Sequence, residues 1–188
     1  MHLSETYSNR LKELAGIKNN GIICFHRSNE FEHMENGSFS TAKNDAIALF
    51  GPAIYFAQSH SISQQLGKYI CKFSIQLKTP VLDMNKEVSN DYANQLLVKF
   101  NEMFKTDIVF DFNNEYDNVQ YGEFFVEIAE AYNWDYNIYF PTFIKSLGFN
   151  SFKYFCNYHT DFINEKGDYG LSYGIYDPSD IKFLDGPF

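Results

Sequence analysis

Two periods of apolar residues divide the chain into strand-rich ends and a helical middle. Residues 68–77 set Tyr69, Cys71, Phe73, Ile75 and Leu77 against Lys68, Lys72, Ser74 and Gln76, a period of two that predicts a half-exposed strand. Residues 21–27 and 53–57 are short apolar runs, Ile22-Ile23-Cys24-Phe25-His26-Arg27 and Ala53-Ile54-Tyr55-Phe56-Ala57, whose length and flanks predict buried strands. Residues 89–104 instead carry Tyr92, Ala93, Leu96, Leu97, Phe100 and Phe104 at the i, i+4, i+8 spacing of an amphipathic helix. Further helices are predicted over 120–132 and 136–147, with Pro141 restarting the second near its first turn and Gly148 breaking it. Shorter helices are predicted at 4–15, closed by Gly16, and at 59–66, closed by Gly67. Residues 29–50 are polar, carry the turn signal Asn36-Gly37 and read as a loop-rich crossing, and Pro80 ends the first strand region. The tail returns to strand pattern at 151–155, 171–176 and 181–184, with Asp177-Pro178-Ser179 as a turn between the last two.

Strands at both ends around a helical middle predict an α+β fold with mainly antiparallel pairing rather than a βαβ series. At 188 residues, with no Pro/Gly/Ser-rich linker, the chain is expected to form one domain over 1–188. Its 20 Phe and 14 Tyr supply a core and exclude a disordered composition.

Charge and cysteines narrow the partners. A net charge of −9 argues against a general binder of phosphate backbones, which needs clustered Lys and Arg. Cys24, Cys71 and Cys156 are odd in number, widely spaced and set in apolar runs, so they read as core residues in a reducing cytoplasm, with neither a disulfide framework nor zinc-ligand spacing. No run approaches the roughly 18 apolar residues of a membrane span, and the first residues lack a signal-peptide pattern, so a soluble protein is expected. His33, His60 and His159 lack metal-ligand spacing. The alternating Asp111, Asn113, Glu115 and Asp117 lack the Gly and Glu that a calcium loop requires and read as a solvated acidic turn. No metal is expected. Glu123, Glu127 and Glu130 read as a polar helix face.

His26 stands where a strand runs into the polar Arg27-Ser28-Asn29, so its imidazole can exchange hydrogen bonds at neutral pH. Alone, it reads more simply as a structural histidine held by backbone, and Tyr55 alone reads as a core aromatic. Their company changes the reading. Gly51-Pro52-Ala53-Ile54-Tyr55-Phe56-Ala57, followed by Ser63 and Gly67-Lys68-Tyr69, resembles the Gly-x-Gly-Ile-Tyr-Phe-Ala segment and serine-containing helix of the diphtheria-toxin and poly(ADP-ribose)-polymerase class of ADP-ribosyltransferases. Leu147-Gly148-Phe149-Asn150-Ser151-Phe152 and Ser172-Tyr173-Gly174-Ile175-Tyr176-Asp177-Pro178-Ser179-Asp180-Ile181-Lys182 resemble the Gly-Phe-Asp-Gly-Ile strand entry and the Glu-Tyr-Val-Val-Phe-Asp-Pro-Ser-Gln-Ile-Lys ending of phage and bacterial members.

The resemblance implies two small antiparallel β-sheets around an NAD cleft, with about 84–147 as a helical insertion. It implies NAD as co-substrate, held at its ribose end by His26 and Ser28. The main chain at Arg27 would contact nicotinamide, Tyr55 would stack on it and Ser63 would hold its amide. The family's glutamate aligns with Ser172, which cannot supply an anion. Cleaving the nicotinamide–ribose bond develops positive charge on the ribose, so a carboxylate there lowers the barrier, and a lost general base costs roughly 10²–10⁴-fold. Small phage-encoded, anti-CRISPR-type ADP-ribosyltransferases, which the chain resembles, place an aspartate in the loop before this strand. Here residues 157–170 offer Asp161, Glu165 and Asp168, and Asp168, between Gly167 and Gly170, is the first choice. The resemblance implies transfer of ADP-ribose to a protein target, a host defence complex, in the host cytoplasm. Two rival readings are a catalytically inert NAD- or ADP-ribose-binding or partner-blocking protein, suggested by Ser172, and transfer to nucleic acid through a basic patch of Arg27, Lys68, Lys72 and Lys153.

Overall fold

The computed structural model describes residues 21–37, 39, 50–58, 68–77, 80–115, 117–132, 135–155 and 170–188. Within them lie strands β1 (Ile22–Ser28), β2 (Ile54–Ala57), β3 (Tyr69–Ile75), β4 (Val81–Asp83), β5 (Glu87–Val88), β6 (Val119–Gln120), β7 (Ser151–Phe155), β8 (Leu171–Ile175) and β9 (Ile181–Asp185). The helices are α1 (Phe31–Glu35), α2 (Asn90–Phe104), α3 (Phe112–Glu115), α4 (Tyr121–Ala131) and α5 (Phe140–Ser146). The architecture is α+β. The helices expected at 4–15 and 59–66 lie outside the described residues.

Seven strands form one sheet in the order β4-β7-β8-β2-β1-β3-β9, and β5-β6 form a separate two-stranded ladder. This corrects the expectation of two small antiparallel sheets: the large sheet is continuous, and its β4–β7 pair is parallel. Its continuity is thin at one place. β1 is registered with β3 along all seven residues, whereas β1 and β2 share the single pair Phe25↔Ala57. Two half-sheets, β9-β3-β1 and β2-β8-β7-β4, therefore meet at a seam. β4 begins directly after Pro80, where a strand end was expected, because proline cannot donate to a ladder but does not prevent the next residue from pairing. Leu82 is buried there beside its register partner Phe152.

The sheet has two distinct faces. Its back carries Cys24, Ile54, Phe56, Phe73, Tyr173 and Ile175, a core that spans the seam and is joined by Met34 of α1. α1 lies in the stretch read as a loop-rich crossing, and five residues are too few for a helical period to show. The front of the second half-sheet carries Phe152 and Tyr154, packed with Phe100 of α2, Phe125 of α4 and Phe140 of α5 in a larger core. Gly174 allows this packing: a Cβ there would meet the Phe152 ring at 1.9 Å.

Local chemistry sets the helix ends. Ser89 Oγ accepts from the Tyr92 N–H at 3.3 Å and caps α2. At its other end Lys105 is left-handed (φ 55°), and Asn101 gathers the following turn by accepting from Thr106 Oγ1 at 2.7 Å and donating to the Ile108 carbonyl at 2.8 Å. Glu123 closes a capping box on α4, accepting the Gln120 N–H at 2.6 Å, so it is more than part of a polar face. Pro141 lies in the first turn of α5 after a 3-10 turn at Asn137–Tyr139, and Gly148 follows with φ 92°. Residues 84–147 hold α2–α5 and also the β5–β6 ladder, so the middle is not purely helical. Among the described residues, no helix is long and apolar enough to cross a membrane.

Candidate functional site

The segment before β2 is built around the Tyr55 hydroxyl. It donates to the Gly51 carbonyl at 2.8 Å and accepts the Phe50 N–H at 3.0 Å, closing residues 50–55 into a tight turn with Gly51 at φ 79°. The Tyr55 ring is half-buried and stands edge-on to Phe152 and Tyr154, with centroids at 5.8 and 6.5 Å. Burial pushes its phenol far above the ordinary value of 10.0, so it stays neutral. Its ring, not its acidity, is what it can offer a ligand. Replacing Tyr55 with Phe keeps the ring and removes both hydroxyl bonds. A loss of about 1–3 kcal/mol is expected, read as a lower urea midpoint with an unchanged slope.

His26 stands at the seam. Its Nδ1 donates to the main-chain carbonyl of Tyr55 at 2.7 Å, on the side where the β1–β2 ladder has stopped. A carbonyl can only accept, so the neutral ring carries its proton on Nδ1 and leaves Nε2 as an acceptor. The ring is enclosed by Phe39, Phe56 and Phe73, at centroid distances of 5.7, 5.4 and 6.3 Å. This burial lowers its pKa below 6.5, with the Tyr55 carbonyl acting in the opposite sense, so it is neutral at pH 7. Phe73 reaches His26 from β3, which periodicity alone could not show; Phe56, next to Tyr55 in sequence, was a visible signal.

The structure joins His26 and Tyr55 through the main chain and separates their side chains. Tyr55, Gly174 and Phe152 share one rung, and Phe56, Tyr173 and Lys153 the next, so Tyr55 faces front while Phe56, against which His26 packs, faces back. On the front with Tyr55 are Arg27, which a continued β1–β2 ladder would set opposite it, and Ser172, the rung partner of Ala57. Ser172 is 4% exposed, and a serine hydroxyl at that position provides no negative charge. Arg27 is half-buried, and among the described residues its buried Nε has no hydrogen-bond partner. Ser28 Oγ accepts the Glu30 N–H at 3.1 Å, and Asn29 Oδ1 accepts the Lys68 N–H at 3.1 Å, pinning the end of β1 to the start of β3. Ser63, Asp161, Glu165 and Asp168 lie outside the described residues.

Four cations do not form one patch. Lys153 belongs to the far half-sheet, faces back and pairs with Asp83 at 2.9 Å, while Lys68 lies 5.0 Å from the centre of the Tyr69 ring. Arg27 and Lys72 remain together on the front of β1 and β3. Cys24 and Cys71 are buried free thiols, and burial raises the pKa of each; Cys156 is outside the described residues. Asp111 Oδ1 accepts the Asn113 N–H at 3.1 Å, a turn that opens α3. Among the described residues, no three His, Cys, Asp or Glu side chains are grouped to hold a metal ion. Compared with family models, curated proteins and solved structures, the chain matches none of them.

Proposed function

We propose that this chain is a mono-ADP-ribosyltransferase with an ADP-ribosyltransferase-like fold, taking NAD at the seam and passing ADP-ribose to a protein target. The observation that carries the reading is the His26 Nδ1 bond to the Tyr55 carbonyl at 2.7 Å. It couples the two motif residues across the seam and fixes the tautomer that leaves Nε2 an acceptor, suited to a ribose hydroxyl. Past Phe25↔Ala57 the β2-facing main-chain groups of β1 have no strand partner among the described residues, so an amide such as that of nicotinamide can pair with them. The orphaned Arg27 Nε on the same side is a further donor suited to an anionic co-substrate.

NAD supplies an electrophilic ribose carbon activated by its nicotinamide leaving group. In this reading Tyr55 covers the nicotinamide with a ring held by Gly51 and Phe50, Ser63 holds its amide, and His26 and Ser28 position the adenosine-side ribose. Asp168 takes the part of the carboxylate missing at Ser172, with Asp161 and Glu165 as alternates. The target is a protein of a host defence complex, including one that itself binds nucleic acid, and the chain acts in the host cytoplasm.

The inert-binder reading is favoured by one feature, Ser172 where a glutamate is needed. Incubation of the full chain with radiolabelled NAD and host lysate separates the two. The expected result is label on a protein band, reduced roughly 10²–10⁴-fold in Asp168→Ala. Label that survives Asp168→Ala but vanishes in Glu165→Ala moves the acid, not the mechanism. No label from wild type, with its biological effect undiminished in Asp168→Ala, rejects transfer in favour of the inert binder, and nuclease-sensitive label makes the acceptor a nucleic acid.

A further inference from the structure

Arg27 and Lys72 are neighbouring cations that make no ion pair among the described residues. Register sets Arg27 opposite Ile70 and Phe25 opposite Lys72, and side chains two apart on a strand share a face. The two cations are therefore diagonal neighbours on adjacent strands, within mutual reach for long side chains. Among the described residues Lys72 makes no ion pair. Its register partner Asp185 turns Oδ1 instead to the Gly186 N–H at 2.9 Å. Arg27 Nε is buried with no partner, an arrangement that costs stability in the free protein. The chain has 24 acidic against 15 basic residues, so carboxylates are abundant, yet none among the described residues closes on this pair.

We infer that Arg27 and Lys72 bind the diphosphate of a nucleotide at the front of the seam. A guanidinium fork takes two oxygens of one phosphate, and an ammonium acts as a point charge on the next. The two side chains reach from adjacent strands, a separation that suits linked phosphates better than a single carboxylate. The inference rests on the proposed function for the nucleotide's identity as NAD, but the anion site itself requires only these two residues.

Calorimetric titration of the full chain with ADP, adenosine and inorganic pyrophosphate tests it. ADP is expected to bind at least about tenfold more tightly than adenosine, and pyrophosphate to compete with ADP. Arg27→Met and Lys72→Gln are each expected to weaken ADP about 10–100-fold and leave adenosine unchanged. Arg27→Met is also expected to raise the thermal midpoint, because it removes an orphaned buried donor; an arginine serving only the fold would lower it. Equal affinity of wild type for ADP and adenosine overturns the site, as does undiminished ADP binding in Lys72→Gln. If pyrophosphate and ADP bind as expected but NAD is neither bound nor cleaved, the transferase reading fails and the anion site stands. If labelled NAD is transferred undiminished by Arg27→Met, the anion site fails and the transferase reading stands.

Discussion

Gly51→Ala is expected to destabilise the protein by about 2–5 kcal/mol, the sum of a left-handed conformation forced on a side chain and of overpacking. Gly51 has φ 79°, and a Cβ there would lie 2.3 Å from the Asn137 carbonyl oxygen and 2.9 Å from Pro141 Cδ. Neither can swing aside: the first is backbone and the second is a ring in the first turn of α5. Relief requires the 50–55 turn to move away from the helical layer, which pulls on the Gly51 carbonyl that holds Tyr55. The control is Gly37→Ala, where φ is 67° and nothing lies within 4 Å; there only the backbone cost of about 1–2 kcal/mol is expected. Urea unfolding of the two variants separates steric from conformational cost. Equal midpoints would show that Gly51 is needed for its φ alone.

Acidification is expected to weaken the fold through His26. Its folded-state pKa is lowered by burial from 6.5, so below pH 6.5 the unfolded chain takes up a proton that the folded chain resists. The contribution is complete above 6.5, is lost as pH falls toward the lowered folded value and levels off beneath it. Each pKa unit of lowering corresponds to about 1.4 kcal/mol. The difference between wild type and His26→Asn, followed by denaturant unfolding from pH 7.5 to 4.5, isolates this residue from the carboxylates. A constant difference across that range would mean the imidazole is not desolvated. Protonation also turns Nε2 from acceptor to donor, so NAD affinity in the proposed site holds through pH 6.5 and falls only as pH reaches the lowered folded-state value.

Much of this architecture was legible because long elements repeat a period many times. α2 shows four turns of apolar spacing and a serine cap at Ser89, and β3 alternates over its whole length. α1, β4, β5 and β6 were not legible: two to five residues complete no useful period, and their pairing comes from tertiary neighbours such as Phe152 for Leu82. Strand partners were hidden for a different reason. Asp177-Pro178-Ser179 does form a turn, with Asp177 Oδ1 accepting the Ser179 N–H at 3.0 Å. Yet β8 and β9 are not a hairpin, because β2, β1 and β3 lie between them; a turn fixes chain direction, not the neighbour it leads to. For the site, motif order pointed to His26 and Tyr55, but their assignment to opposite faces needed the register. The idle charge of Arg27 and Lys72 was invisible in a list of basic residues, since only geometry distinguishes them from the engaged Lys153 and Lys68.

The single rung Phe25↔Ala57 also sets how the molecule yields under load. Seven register pairs tie β1 to β3 and four tie β2 to β8, so each half-sheet resists shear as a unit, and the join between them is the compliant line. It is not equally weak on both sides. Phe56, Phe73 and Tyr173 bind the halves across the back like the spine of a book, whereas on the front Arg27 and Tyr55 share no ladder pair among the described residues, and the clasp at that level, the His26 bond to the Tyr55 carbonyl, comes from the back. Among the described residues, a force that separates the halves therefore meets one ladder pair and one hydrogen bond within the sheet, and the packed rings of the back last.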